Sequence, residues 1–234
     1  MFAVGRDHVA AALRKAVHGR SSGAPPTLAG RYRGPMPRFR RPTPADLPAL
    51  YRVCLQTGAA GADASSTYAD PDLLGHLWCA PHAITDPALC EVVDDESGVA
   101  GYLVATADTP RFEAWCAQSW WPPLQSRYPL EQARPAADQE LVRSIHSPET
   151  TPAAITGPFP AHLHINLLPR LQGQGAGGML IARLLDRLRS RGVAGVHLGV
   201  DAANTHAIGF YEHQGFSRVA VEDDGGIIMG LRLT

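Results

Sequence analysis

The run His162-Leu163-His164-Ile165-Asn166-Leu167-Leu168-Pro169-Arg170-Leu171-Gln172-Gly173-Gln174-Gly175-Ala176-Gly177-Gly178 passes from a strand pattern through a glycine-rich loop into a helix pattern. His162 to Leu168 alternates with period two. Leu180, Ile181, Leu184, Leu185 and Leu188 share one face of a helix over Gly177 to Arg191, which stops at Gly192. Glycines at such a junction let backbone N–H groups turn inward as a nest, and the helix N-terminus adds positive dipole. Three glycines within five positions ahead of a leucine-rich helix weaken that helix unless something approaches closely. The segment therefore reads as a diphosphate loop, against the simpler reading of a tight strand-to-helix turn.

Spacing narrows the ligand. A dinucleotide fold wants Gly-x-Gly-x-x-Gly with a ribose-binding acid about twenty residues on and further parallel strands to follow. Here the glycines fall differently and little chain remains. A P-loop needs Gly-Lys-Ser/Thr, and the only lysine is Lys15. Both nucleotide folds are disfavoured.

Working outward, Val196 to Val200 reads as a strand, Asn204 to Gln214 as a helix ending at Gly215, and Phe216 to Val221 with Ile227 to Leu233 as a closing strand pair. Upstream, a short strand Arg38 to Arg41 precedes a helix from Pro44 or Ala45 to Gly58. A short helix covers Asp72 to Trp78, and a hairpin joins Leu89–Val93 to Val99–Ala107 through Asp94 to Gly98. Residues 109–160 carry two expected helices, Phe112 to Ser119 and Ala137 to His146, an aromatic cluster and a proline-rich stretch. Alternating strands and helices imply a mixed sheet with helices on its faces. Residues 1–37, rich in basic side chains and broken by proline and glycine, read as an extension. Residues 38–234 read as one domain.

The chain has 234 residues, 45% of them apolar, enough for one large domain with a buried core. It has no apolar run of membrane-spanning length, and its charged first twenty residues do not resemble a secretory leader, so a cytoplasmic location is expected. Net charge is −1, but residues 42–169 hold five Arg against fifteen Asp and Glu, a local net of −10. That field favours a cationic partner over a carboxylate or nucleic acid. The basic leader could touch nucleic acid, yet basic leaders are more often simply solvated. Cys54, Cys79, Cys90 and Cys116 form no Cys-x-x-Cys pair, which argues against a zinc site or disulfide framework. Cys79 and His82, three apart, read as ordinary packing and surface residues, so no metal is expected.

Gln172, Gly175 and Gly177, together with Asn204, Ala207, Phe210 and Tyr211, resemble the two halves of the GNAT acyl-CoA N-acyltransferase signature, Arg/Gln-x-x-Gly-x-Gly/Ala and Asn-x-x-Ala-x-x-Phe-Tyr. Over about residues 38–234, pieces such as Cys54-Leu55-Gln56-Thr57-Gly58, Asp70-Pro71-Asp72-Leu73-Leu74-Gly75, Trp120-Trp121-Pro122 and His162-Leu163-His164-Ile165 resemble bacterial relatives of the acetyltransferase-like C-terminal domain of O-GlcNAcases. One departure is Asn166, where that family usually has Asp.

The resemblance implies an α/β (α+β) GNAT fold: a mixed central sheet of about seven strands, splayed between strands 4 and 5, with helices on both faces and a long insertion at about 109–160. It also implies acetyl-CoA as co-substrate. The pantetheine arm would meet backbone at Leu167 and Leu168, and the amides of Gln172, Gly173, Gln174, Gly175, Ala176, Gly177 and Gly178 would take the diphosphate. Asn204 and Phe210 would flank the arm, and the Tyr211 hydroxyl would protonate the departing thiolate. The competing reading makes Tyr211 plain core.

An amine acceptor arrives as ammonium and must lose a proton before attack. His162, His164 and Asn166 share one strand face, so His164 or His162, directly or through water, is the candidate base, against a purely structural histidine. Asp108 at a strand end is a second candidate, with helix capping as its alternative. His197 reads as structural. The insertion would cover the acceptor, with Trp115, Trp120 or Trp121 lining it or forming a satellite core. The expected function is direct acetyl transfer to a small amine or protein lysine in a ternary complex. The alternative is a non-catalytic acetyl-CoA-binding or protein-interaction module. A membrane partner is not expected, and a homodimer is left open.

Overall fold

The computed structural model describes residues 37–222 and 225–233. The basic extension, including its short amphipathic stretch, lies outside the described residues apart from Pro37. Seven strands form one sheet: β1 (Arg38–Arg40), β2 (Glu91–Asp95), β3 (Gly98–Thr106), β4 (Ala161–Leu167), β5 (Gly195–Asp201), β6 (Ser217–Val221) and β7 (Gly226–Arg232). Their spatial order is β1-β2-β3-β4-β5-β7-β6. Every neighbouring pair is antiparallel except β4 and β5.

That parallel pair is the break in the sheet. β3 and β4 stay in register over six pairs from Gly101↔Leu167 to Thr106↔His162, whereas β4 and β5 pair only at Ala161↔Val196 and His162↔His197. Beyond these two pairs the strands part. The expected splay between strands 4 and 5 is present, and the seven-stranded mixed sheet is as expected.

Helices cover both faces: α1 (Leu47–Leu55), α2 (Leu73–Trp78), α3 (Ala80–Thr85), α4 (Thr109–Trp115), α5 (Trp121–Arg127), α6 (Ala136–His146), α7 (Ala153–Thr156), α8 (Ala176–Ser190) and α9 (Thr205–His213). Side chains on β4 alternate between the faces. The even positions His162 and Asn166 meet His82 of α3 and Thr57 just beyond α1, while Leu167 packs toward Gly177 of α8 and Phe210 of α9. Leu180, Ile181, Leu184 and Leu188 are the buried stripe of α8, as their spacing required.

Ion pairs tie the outer strands to the helices. Arg40 holds Asp46 at 2.7 Å through each of two nitrogens and Asp94 at 2.6 Å, joining β1, the start of α1 and β2. The guanidinium keeps the Asp46 carboxyl well below the usual carboxylate range. On the other face, buried Glu91 of β2 accepts from Arg183 at 2.9 Å and from Arg187, anchoring α8.

Several elements differ from the sequence reading. The hairpin turn is only Glu96-Ser97, because Asp95 already pairs with Gly98. α4 begins three residues early, at Thr109, with Asp108 as its cap, and ends at Trp115. A π-turn over Cys116–Trp120 then carries the chain into α5. α3, α5 and α7 were not expected. In α3 and α5 the prolines Pro81 and Pro122 sit in the first helical turn, where a missing N–H costs nothing, rather than breaking structure.

Candidate active site

The mouth of the split is built at the end of β4. Leu168 donates its N–H to Ala100 of β3 at 2.9 Å, so by alternation Ile165 and Leu167 turn their backbone groups away from β3, toward the gap. Of the two positions expected to meet an extended ligand, only Leu167 therefore presents backbone there. Its carbonyl accepts from the Gln172 side chain at 2.8 Å, which leaves its N–H as the group facing the opening.

The loop follows. A short 3₁₀ turn over Pro169–Leu171 closes when the Gln172 N–H donates to Pro169 at 3.1 Å, and the Gln174 side chain donates to Arg170 at 2.6 Å. Both glutamine side chains thus stiffen the loop itself. Gly175 caps α8 in the left-handed region, φ +88°, a conformation that disfavours any side chain there. Met179 N–H to Gly175 C=O is the first rung of the helix, so the N–H groups of Ala176, Gly177 and Gly178 have no intrahelical acceptor. These three amides stand at the positive end of the dipole.

Gly177 has a second reason to lack a side chain. A Cβ there would stand 3.0 Å from the Phe210 ring, so bare backbone lets α8 and α9 approach. Phe210 and Tyr211 rings lie 5.2 Å apart, and Tyr211 is buried with Phe216 at 5.7 Å. Burial pushes the Tyr211 phenol well up, so it stays protonated at neutral pH. Asn204 caps α9, its side-chain oxygen accepting the Ala207 N–H at 3.0 Å.

On the opposite face of β4 lies a histidine cluster. His162 Nε2 meets His82 Nε2 at 2.7 Å, and His162 Nδ1 meets Thr109 Oγ1 at 2.8 Å. His82 also stacks on Phe112, centroids 4.2 Å apart, and faces the His164 ring at 5.1 Å. Burial, reinforced by His197, lowers His164 from 6.5 to about 4. Burial and the neighbouring imidazoles hold His162 and His82 well below the ordinary value. All three are neutral at pH 7. Both nitrogens of His162 are engaged, so of the two base candidates His164 is the one whose ring makes no hydrogen bond among the described residues.

Other expectations resolve differently. Asp108 accepts the Arg111 N–H at 3.0 Å and caps α4, the alternative role considered for it. Asn166 donates to Thr57, whose hydroxyl in turn donates to Val53 at 2.7 Å, so this position is a strut between β4 and α1. His197 donates to Phe159 at 2.8 Å, as a structural residue would. Trp120 donates to the His76 carbonyl at 2.9 Å and stacks with Trp115, in an aromatic cluster with His76, Tyr51 and Tyr128. Cys79 and His82 are both buried rather than at the surface. His82, Thr109 and Thr57 went unrecognised in the sequence. A histidine on an apolar helix opposite a His-x-His strand was the available signal.

A mixed sheet parted at its one parallel pair, with a glycine loop and a helix N-terminus at the mouth, is the architecture of the GNAT fold class. The solved structure of SsHAT is 38% identical, with a TM-score of 0.77 over 86% of this chain and all of that one. Protein O-GlcNAcase of Rattus norvegicus is 25% identical over 184 residues, 76% of this chain but 20% of that protein. Mycothiol acetyltransferase of Beutenbergia cavernae is 49% identical over 59 residues, 25% of this chain and 20% of that one. The chain thus spans about a fifth of the length of these curated relatives. The model of the acetyltransferase (GNAT) family matches residues 138–216. The chain belongs to this family, whose co-substrate is acetyl-CoA. Among the described residues no helix is long and apolar enough to cross a membrane.

Proposed function

We propose that the protein transfers the acetyl group of acetyl-CoA directly to an amine, a small cationic amine or a protein lysine, within a ternary complex. The observation that carries this reading is the two-pair contact between β4 and β5, which turns the Leu167 N–H into an opening beside the glycine loop. In this reading the diphosphate takes the amides from Gly173 to Gly178, and the pantetheine arm lies along Ile165 and Leu167. Asn204 and Phe210 border the arm.

The acceptor approaches from the His164 face. His164 takes the ammonium proton, and the amine lone pair then attacks the thioester carbonyl carbon. The oxygen so charged is held by the Leu167 N–H. Collapse breaks the C–S bond, and the Tyr211 hydroxyl protonates the leaving thiolate. The local net of −10 over residues 42–169 supports a cationic acceptor. We also read residues 38–234 as one catalytic unit whose 109–160 segment reaches the acceptor face through Thr109 and Phe112.

Calorimetry with acetyl-CoA and CoA, followed by thiol release across a panel of amines and lysine peptides, tests the reading. Saturable binding with amine-dependent thiol release is expected. Binding without turnover of any amine would leave only a cofactor-holding module.

A further inference from the structure

The histidine cluster contains more nitrogen donors than acyl transfer uses, and its hydrogen bonds fix which of them carry lone pairs. The Thr109 hydroxyl has one proton, and Pro160 C=O, 2.8 Å away, can only accept it. Thr109 Oγ1 must then accept from His162 Nδ1–H, so His162 Nε2 holds a lone pair. His82 Nε2, 2.7 Å away, must carry the hydrogen between the rings, and His82 Nδ1 is left as a bare acceptor. That atom is buried without any partner, in a residue only 1% exposed. That bare acceptor is the place to which the His82 ring can move the proton of Nε2, freeing the Nε2 lone pair toward the other two rings.

One ring nitrogen from each of His82, His162 and His164 lies within 4.8 Å of the other two. The bond from His162 Nδ1–H to Thr109 is the outer hydrogen bond that orients a ligating imidazole. We propose that His82, His162 and His164 bind one zinc-class divalent ion. Three imidazoles without thiolate or carboxylate select Zn²⁺ and its neighbours Co²⁺, Ni²⁺ and Cu²⁺ over Mg²⁺ or Ca²⁺. Ligands about 2.1 Å from a tetrahedral ion stand roughly 3.4 Å apart, so binding requires the His82–His162 contact to open by a fraction of an ångström, within reach of side-chain rotation, and the His82 proton to pass from Nε2 to Nδ1 so that Nε2 can ligate. The ion is not a cofactor of acetyl transfer. By the acceptor mechanism above, and resting on it, occupancy withdraws the His164 lone pair and inhibits.

The test uses the full untagged chain, stripped with a chelator and titrated with Co²⁺. One equivalent should produce the visible bands of a four-coordinate nitrogen site, and Zn²⁺ should bleach them. His164→Asn and His82→Asn should each abolish the bands, with circular dichroism showing that at least one variant keeps its fold, while the exposed His206→Ala leaves them intact. A wild-type spectrum that stays that of aqueous Co²⁺ overturns the proposal, as do bands that survive in both Asn variants or vanish in His206→Ala. Zn²⁺ inhibition of thiol release is read separately, so a protein that turns over no amine still passes or fails on the spectrum.

Discussion

Tyr211 on α9 and His164 on β4 are both desolvated, and their environments fix opposite roles. The desolvated phenol is held protonated and the desolvated imidazole is held neutral, so one can only give a proton and the other can only take one. Tyr211→Phe keeps the ring against Phe210 and Phe216 and removes only the hydroxyl. A fall in kcat of about 10²-fold is expected, with the KM for acetyl-CoA nearly unchanged, measured by steady-state thiol release. Full activity would remove Tyr211 as the acid. The residue scale was the hardest to read from sequence. Gln172, Gly175 and Tyr211 stood out because they fill two local signature patterns of the family the sequence resembles, but His82 reaches His162 across eighty positions of chain. Nothing local marks such a pairing, and the lone histidine near Cys79 looked ordinary.

At the scale of elements, the helix termini do the positioning. Asp108 and Asn204 cap α4 and α9, and Gly175 opens α8 in a left-handed turn. Asp108→Ala should cost about 1 kcal/mol of stability, read by denaturant titration, and leave kcat per folded molecule unchanged. A base at this position would instead lose rate without losing stability. The strands, α1, α2, α6, α8 and α9 were legible because period-two and period-3.6 patterns are written along contiguous residues. α3 and α5 were hidden because proline has opposite meanings inside a helix and in its first turn, and only the following residues' burial separates the two.

For the whole molecule, packing four imidazoles against one another, His82 and His197 buried and His162 and His164 half-buried, makes the fold acid-sensitive. Each has its pKa lowered by burial, while in the unfolded chain it titrates near 6.5. Between about pH 6.5 and 4 the unfolded state therefore binds more protons, so stability is complete above 6.5 and falls as pH drops through this window. Urea midpoints measured in chelator should decline steeply from pH 7 to 4, and a flat profile would mean that the imidazoles are solvated. The sheet order, including the split, followed from the family resemblance rather than from composition, because no local pattern says where two strands stop pairing.

That split also gives β4 an odd-and-even signature. The amides at positions 162, 164, 166 and 168 point into the β3 ladder, whereas those of Ile165 and Leu167 lie in the middle of a sheet yet point at no neighbouring strand. In deuterated solvent these two should exchange orders of magnitude faster than the amides on either side of them, a comb of fast and slow signals along one strand. Acetyl-CoA should fill in the missing teeth of the comb at Ile165 and Leu167 and leave the rest of it unmoved.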